Sequence, residues 1–442
     1  MAPAISILPL GTCSATPTRT RNHSSLAIIL PSSDALIFDA GEGTQHQLQK
    51  FKSLRVSQIS KIFITHLHGD HLYGLCPLLS SICNGHGGNI EGQEDPRLAD
   101  TGEISRPTKA NIEIYGPKGL REFVRTTLKL TYTHLDAWIA VHELLFPHEQ
   151  DTPSGPMVCY QKEVPGKNIR PDRYGFWKDI YTNDEFSISA GEIKHSVPCV
   201  GYVLTEATLP GKIPKEYPKI LSSYHEYFRA RGIVNPMTLL SALQSGKGAK
   251  DVPPTVLSER GIILPDNSIL PRPLPRPGRK ITVLGDTYDP SPIASLAMHS
   301  TVLIHEATNA YLPGCDPNTK PTDTYMMVKE WTMSRGHSTP EMAGHFARSI
   351  YLGISEDGHV TEGTLILNHF SARYKDDEAD GPGGEAEKVM EAIRHCAKNA
   401  WHNGVEEGGL GGFNPATVCV EVSKKKVISA RDGVKIEIKA SG

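Results

Sequence analysis

Ser60-Lys61-Ile62-Phe63-Ile64-Thr65-His66-Leu67-His68-Gly69-Asp70-His71 carries an apolar β-type run into three imidazoles and one carboxylate within six residues. Leu72-Tyr73-Gly74-Leu75-Cys76-Pro77-Leu78-Leu79 follows, with the apolar spacing of a helix. The polar cluster is therefore expected on a strand-to-helix loop, where neighbouring side chains can converge on one point. Imidazole and carboxylate are the usual ligands of zinc and its neighbours. The competing reading is a polar loop in which Asp70 caps a helix and the histidines face solvent. The density of ligand-type side chains favours the metal.

The same arrangement recurs along the chain. Apolar runs at 280–284, 300–304 and 364–367 lead to Asp286, His305 and His369. Strand ends at one edge of a sheet are where α/β sites assemble. Upstream, 5–10 reads as a strand, 25–30 and 35–39 as a hairpin, and 45–51 as a helix. Downstream, 112–115 is a strand that turns into a helix from Leu120, and 186–189 leads to the isolated His195. Residues 339–349 form a helix capped by Ser338 or Thr339, and 386–400 another, with two or three short strands after it. Strands and helices alternate in both halves, so the expected class is α/β. Segments 84–109 and 147–172, rich in turn residues, read as loop-like insertions.

Composition sets the outer bounds. The 442 residues suffice for one large domain or two ordinary ones, and 38% hydrophobic content with 40 Gly and 33 Pro implies a loop-rich globular protein. Nineteen histidines is high and fits a search for metal ligands. Eight cysteines contain no Cys-x-x-Cys pair, which excludes a zinc ribbon or dithiol redox motif. Such usage fits a reducing compartment, the cytoplasm and/or nucleus. Residues 1–10 lack a basic start and a long apolar stretch, so no secretory leader is expected, and no apolar run is long enough to span a bilayer.

The net charge of −3 hides an asymmetry. Residues 206–280 depart from core patterning and hold 12 Lys and Arg against 6 Asp and Glu, which leaves −9 for the remainder. The expected organisation is one discontinuous domain, 1–205 with 281–442, interrupted by a basic arm at 206–280. Biased charge on a solvated loop is the bland explanation. A basic projection hinged by Gly and Pro is also what an RNA backbone needs.

The ligand-type residues divide into two sets. His66 and His68, two apart on a loop, can face one ion; Asp70 and His71, at a helix start, can turn to a second. Asp286 has two oxygens and could bridge both. His195 and His369 would complete the sets: His66, His68, His195 and Asp286 around one ion, and Asp70, His71, Asp286 and His369 around the other. Two ions about 3.5–4 Å apart stabilise attacking and leaving oxygens in phosphodiester cleavage. Asp70 is suited to orient the attacking water. The leaving alkoxide needs a proton, for which His337 is the candidate donor, with Glu306 fixing its tautomer. His305 reads as structural, His134, His142, His148 and His345 as surface or packing residues, and Cys199 as a core thiol.

These residues carry a family likeness. His-x-His-x-Asp-His after an apolar strand resembles the metallo-β-lactamase superfamily. Within it the chain looks like ribonuclease Z (tRNase Z), the tRNA 3′-end endonuclease. The matching segments run in order. They are Leu10-Gly11-Thr12, Pro17-Thr18, Arg21-Asn22, Asp39-Ala40-Gly41-Glu42-Gly43-Thr44-Gln45, the histidine loop to Gly74, His195 with Gly201-Tyr202, and Gly285-Asp286-Thr287. His305-Glu306-Ala307-Thr308, Gly336-His337-Ser338-Thr339 and Asn368-His369-Phe370-Ser371 with Arg373-Tyr374 complete them. The resemblance implies an αββα four-layer sandwich with two zinc ions at its edge, Asp70 as catalytic base, and Glu306 with His337 as the proton-donating pair. It implies that 206–280 is the family's projecting arm, an exosite that grips the tRNA elbow. Only Pro210-Gly211 and Pro277-Gly278 stand where a Gly-Pro-rich tip would be. The single set of motifs resembles the short form, which works as a homodimer. Mixed nitrogen and oxygen ligands would also suit manganese or iron.

The expected reaction is removal of the 3′ trailer from precursor tRNA after the discriminator nucleotide, leaving a 3′-hydroxyl; the same site would serve repair of damaged tRNA 3′ ends. A small-molecule phosphodiesterase or other hydrolase of the superfamily is the alternative, but it gives the basic insertion no task. An inactive RNA-binding scaffold would have no need of seven metal-binding side chains.

Overall fold

The computed structural model describes residues 4–87, 106–155, 159–245, 249–356, 361–403 and 425–439, so residues 88–105 of the insertion expected at 84–109 lie outside the described residues. The chain divides into two compact units: Pro3–Thr205 with Lys280–Lys439, and a smaller one whose described residues lie within Glu206–Arg279.

The larger unit is built on two sheets. The first runs Ile436–Ile438, Ile5–Gly11, Ser25–Ile29, Ala35–Phe38, Ile59–Phe63, Ile112–Pro117, Ile139–Leu144 and Asn168–Ile169 in spatial order. The second runs Phe176–Thr182, Phe186–Ile193, Cys199–Glu206, Lys280–Val283, Val302–Glu306, Gly363–Asn368 and Lys425–Ser429. The expected hairpin, Ser25–Ile29 against Ala35–Phe38, is antiparallel, and the histidine-loop strand Ile59–Phe63 lies parallel between Ala35–Phe38 and Ile112–Pro117. The last four strands of the second sheet are mutually parallel. Parallel strands are covered on both faces, which is why the central stretches Val302-Leu303-Ile304 and Leu365-Ile366-Leu367 are apolar throughout and buried.

The core between the sheets draws from both. The Phe63 ring stacks on Phe38 at 5.1 Å and on Tyr115 at 5.2 Å, and meets Tyr202 of the second sheet edge-on at 5.3 Å. Full burial of such a side chain contributes about 1.5–3 kcal/mol. The Tyr202 hydroxyl donates to the Ile64 carbonyl at 2.7 Å, tying the second sheet to the start of the histidine loop. Helices Thr44–Lys50, Leu75–Ile82 and Leu120–Leu130 cover the outer face of the first sheet. Pro340–Ser349 and Glu385–Asn403 cover that of the second. The layering is helix, sheet, sheet, helix, as expected. Thr339 caps the first of these last two helices, its Oγ1 accepting from the Met342 amide at 3.4 Å.

The smaller unit departs from the sequence reading, which found no steady period in it. It contains helices Tyr217–Ser223, His225–Arg229 and Thr238–Ser245 and a sheet of Leu257–Ser258, Gly261–Ile263 and Ile269–Pro271. These close on an apolar core of their own, including Tyr217, Leu221, Phe228, Leu239, Leu243, Val256 and Ile262. Helices of one or two turns leave too few repeats for a period to show. The unit is closed at its base, where Leu209 and Arg276 exchange two backbone hydrogen bonds of 2.8 Å.

Candidate metal centre

Four strand ends deliver the seven ligand-type side chains. His66, His68, Asp70 and His71 follow Ile59–Phe63, His195 follows Phe186–Ile193, Asp286 follows Lys280–Val283, and His369 follows Gly363–Asn368. The histidine-loop strand stops at Phe63, and Asp39 then takes over the backbone. The Thr65 amide donates to Asp39 Oδ1 at 2.7 Å and the Thr65 hydroxyl to Oδ2 at 2.9 Å. Asp39 sits at φ +59°, a left-handed conformation uncommon for a non-glycine residue. The loop is packed so closely that a Cβ on Gly41 would stand 2.2 Å from the Asp70 carbonyl oxygen.

The structure brings all seven together. Ligand atoms of His66, His68 and His195 lie within 4.8 Å of one another, as do those of Asp70, His71 and His369. Asp286 stands between the sets: Oδ1 is 3.3 Å from both His71 and His369 Nε2, and Oδ2 is 3.8 Å from His66 Nε2. Asp70 Oδ2 lies 3.5 Å from His369 and 3.7 Å from His71, and accepts from the Ala15 amide at 2.8 Å. His66, His71, Asp286 and His369 are buried; His68 and His195 are partly open.

Ring orientation identifies what the cluster is built to hold. His71 Nδ1 donates to Asp39 Oδ2 at 2.8 Å, and His195 Nδ1 to the Gly336 carbonyl at 2.8 Å. His66 Nδ1 faces the Thr65 hydroxyl at 3.0 Å, whose own proton goes to Asp39, and His369 Nδ1 faces the Thr308 hydroxyl at 3.2 Å. With protons committed outward, the inner nitrogens present lone pairs to each other. His71 Nε2 and His369 Nε2 are 3.1 Å apart, as are His66 Nε2 and His68 Nδ1; His195 Nε2 and His68 Nδ1 are 3.2 Å apart. Lone pairs at that separation repel unless something electropositive lies among them. Five imidazoles with two carboxylates, each imidazole of known tautomer fixed from behind, fit a divalent metal.

The charges agree. Burial, with the neighbouring imidazoles, holds His66 well below the ordinary imidazole range; burial also lowers His195. Burial would raise Asp286, yet His369 and His71 hold its carboxyl well below the usual range. Asp70 likewise stays ionised against its burial, through the His369 hydrogen bond and the charge of His71.

Next to the cluster, His337 Nδ1 lies 3.2 Å from Glu306 Oε2 and 3.7 Å from Asp286 Oδ2. Burial pulls the imidazolium down, but Glu306 outweighs it and His337 is pushed up to about 9. Glu306 is fixed by the Thr287 amide at 2.6 Å and by the Thr308 hydroxyl. His305 is outside the cluster, with Nδ1 donating to the Glu306 carbonyl at 2.8 Å and its ring beside Phe346. Cys199 is buried, and burial drives its thiol upward.

Sequence reasoning assigned no role to the groups behind the ligands. Asp39 was legible by the rule that found Asp286: a carboxylate at the end of an apolar strand. The Ala15 amide and the Gly336 carbonyl carry no side-chain signal at all.

Residues 5–83 match a family model described as anti-Pycsar protein Apyc1. The chain is 31% identical to zinc phosphodiesterase ELAC protein 1 of Homo sapiens over 405 residues, covering 87% of this chain and 92% of that protein. It is also 31% identical to ribonuclease Z of Nostoc punctiforme over 366 residues, covering 83% and 84%. The crystal structure of human tRNase Z, short form, superposes with a TM-score of 0.52 at 23% identity, covering 98% of this chain and all of that one, a likeness of fold.

Proposed function

From the premise that this chain belongs to the ribonuclease Z family, a metal-dependent branch of the metallo-β-lactamase fold, we propose how it acts: as an endoribonuclease that removes the 3′ trailer from precursor tRNA, cutting after the discriminator nucleotide. The observation that carries the reading is the convergence of two ligand triads on one shared carboxylate, Asp286.

His66, His68 and His195 would hold one zinc ion, and Asp70, His71 and His369 a second, with Asp286 between them. Bound there, the metal supplies positive charge at the phosphate and acidity to water. The protein's own groups do the rest. Asp70, ionised and held by the Ala15 amide, accepts the proton of the attacking water as its oxygen bonds to phosphorus. The bond from phosphorus to the 3′-oxygen of the discriminator breaks, and that oxygen takes a proton from His337 Nε2. Glu306 faces Nδ1 of the same ring, which leaves Nε2 to the substrate. The products are a tRNA 3′-hydroxyl and a trailer with a 5′-phosphate. Damaged tRNA 3′ ends would be trimmed by the same groups.

The unit Glu206–Arg279 supplies sequence-independent phosphate contacts through its excess of Lys and Arg, so the substrate is read by shape. Assembly as a homodimer, and work in the cytoplasm or nucleus, belong to the same proposal. Among the described residues no helix is long and apolar enough to cross a membrane.

The test is cleavage of a precursor tRNA with mapped product ends, comparing wild type with Asp70→Ala. The expected result is a new 3′-hydroxyl at the discriminator in wild type and loss of cleavage in the variant. Wild-type ends elsewhere would refute the assigned reaction.

A further inference from the structure

Tyr174 is 61% exposed just before strand Phe176–Thr182, and two cations attend its ring. The Arg173 guanidinium is 4.7 Å from the ring centroid and the Lys178 ammonium 5.6 Å. The ring is presented on a closed turn. Asp172 Oδ1 accepts from the Tyr174 and Phe176 amides at 2.8 and 3.1 Å, and the Asp172 amide donates to the Phe176 carbonyl at 2.8 Å. Asp172 Oδ2 lies 3.3 Å from Lys178, so this carboxylate is already engaged. A cleft of about 470 Å³ opens beside the ring, lined by Tyr174, Phe176, Lys178, Pro292, Ser295 and Leu296.

This feature stands at the metal-centre end of the second sheet. Phe176 pairs with Gly191 in the antiparallel register of the first two strands, and Gly191 precedes His195 by four residues. At about 3.3 Å per strand residue that is roughly 13 Å of chain. The turn that carries Tyr174 thus lies at the sheet end from which His195 projects, where a strand leaving the metal centre can pass.

An exposed aromatic ring between cations, beside an open cleft, is the chemistry that holds single-stranded nucleic acid. The base stacks on the ring and the phosphates meet the cations, without regard to sequence. A paired stem hides the faces of its bases; unpaired nucleotides offer them. We propose that Tyr174, Arg173 and Lys178 form a subsite for the single-stranded 3′ trailer, downstream of the cleaved phosphodiester. The inference rests on the endoribonuclease reading and adds the path of the leaving strand.

Two precursors test it, one with a single-nucleotide trailer and one with a trailer of about a dozen, the length that single-strand grooves engage. Tyr174→Ala should raise KM for the long-trailer precursor at least about fivefold, the low end of base–aromatic stacking, with kcat unchanged and the short-trailer precursor within about twofold. Tyr174→Trp should behave as wild type. Arg173→Ala with Lys178→Ala should weaken the long-trailer precursor and flatten its salt dependence. A readout independent of cleavage uses Asp70→Ala protein and a precursor carrying 4-thiouridine in the trailer: the photo-crosslink should map to the peptide containing Tyr174. Equal effects on both precursors, no effect on either, or crosslinks elsewhere would overturn the subsite. A Tyr174→Ala protein with altered sedimentation and unchanged trailer dependence would overturn it in favour of a contact between copies. If wild type fails to cut at the discriminator, the endoribonuclease reading falls, and the crosslink still decides whether Tyr174 holds single-stranded RNA.

Discussion

The metal centre and the inserted unit Glu206–Arg279 spend their polar residues in opposite ways. In the centre, His66, His71, Asp286 and His369 are buried, and each of the buried rings has a named partner behind it. In the inserted unit the core is apolar, while Lys212, Lys215, Lys219, Arg229, Arg231 and Arg260 stand exposed. A buried charge must be matched atom by atom or it destabilises the fold. An exposed cation is screened by water and salt and acts mainly through the sum of its neighbours. The first arrangement can perform chemistry and tolerates no single loss. The second can attract a polyanion and should tolerate many.

The sharpest way to break this contrast is Asp286→Ala. It removes the carboxylate that stands between the two triads, so bound metal measured by elemental analysis should fall. Cleavage of precursor tRNA and of a small phosphodiester should drop together by about a thousandfold or more, the scale of lost electrostatic stabilisation at a reacting centre. A variant that kept either activity would show that the two triads work without a shared carboxylate.

Excision of the inserted unit comes next. Leu209 and Arg276 are already hydrogen-bonded neighbours, so residues 210–275 can be replaced by an Asn-Gly turn. Precursor tRNA cleavage should fall about a hundredfold, and its dependence on salt should flatten, because phosphate contacts made by Lys and Arg are lost. Hydrolysis of a small phosphodiester should stay within about threefold. Equal loss of both activities would mean that the inserted unit supports the centre rather than the substrate.

Asp39→Asn probes the centre from behind. The substitution weakens the acceptor for His71 Nδ1 and turns an amide towards the Thr65 donors that Asp39 now satisfies. Metal affinity should fall about 10–100-fold, the usual consequence of losing such a partner, with activity recovered in excess zinc. Failure of excess metal to restore activity would place Asp39 in folding instead.

The contrast also explains how much could be read from the chain alone. His66, Asp286 and His369 were legible because each interrupts or ends an apolar run, and an apolar strand fixes where its last side chain points. Asp39 obeys the same rule, yet a carboxylate that touches no ligand site directly offers no spacing to identify its partner. The Ala15 amide and Gly336 carbonyl belong to any residue, so no substitution pattern marks them. The inserted unit was legible as charge, since composition survives without structure. Its helices were not, because elements such as His225–Arg229 span little more than a turn.

Acid should separate the two units by a smaller effect, one of stability. His142, on strand Ile139–Leu144, is buried against Tyr115 at 4.6 Å, and its Nδ1 accepts the Lys167 amide at 3.1 Å. Burial, only partly opposed by Glu113, lowers this imidazole to about 4. An unfolded chain would bind the proton near pH 6.5, so between about 6.5 and 4 the unfolded state holds more protons than the folded one. The stability that His142 contributes is therefore complete above about pH 6.5 and is lost as pH falls towards 4, by at most about 3 kcal/mol. His142→Asn keeps an acceptor for the Lys167 amide and cannot titrate. Its Tm should fall less than that of wild type between pH 7 and 5. The core of the inserted unit has Tyr217 as its sole buried titratable group among those that form it, and tyrosine does not titrate in this range. Amide hydrogen exchange at pH 5 should accordingly loosen Ile139–Leu144 before Thr238–Ser245; the reverse order would show that acid acts on the exposed charges and not on the buried imidazole.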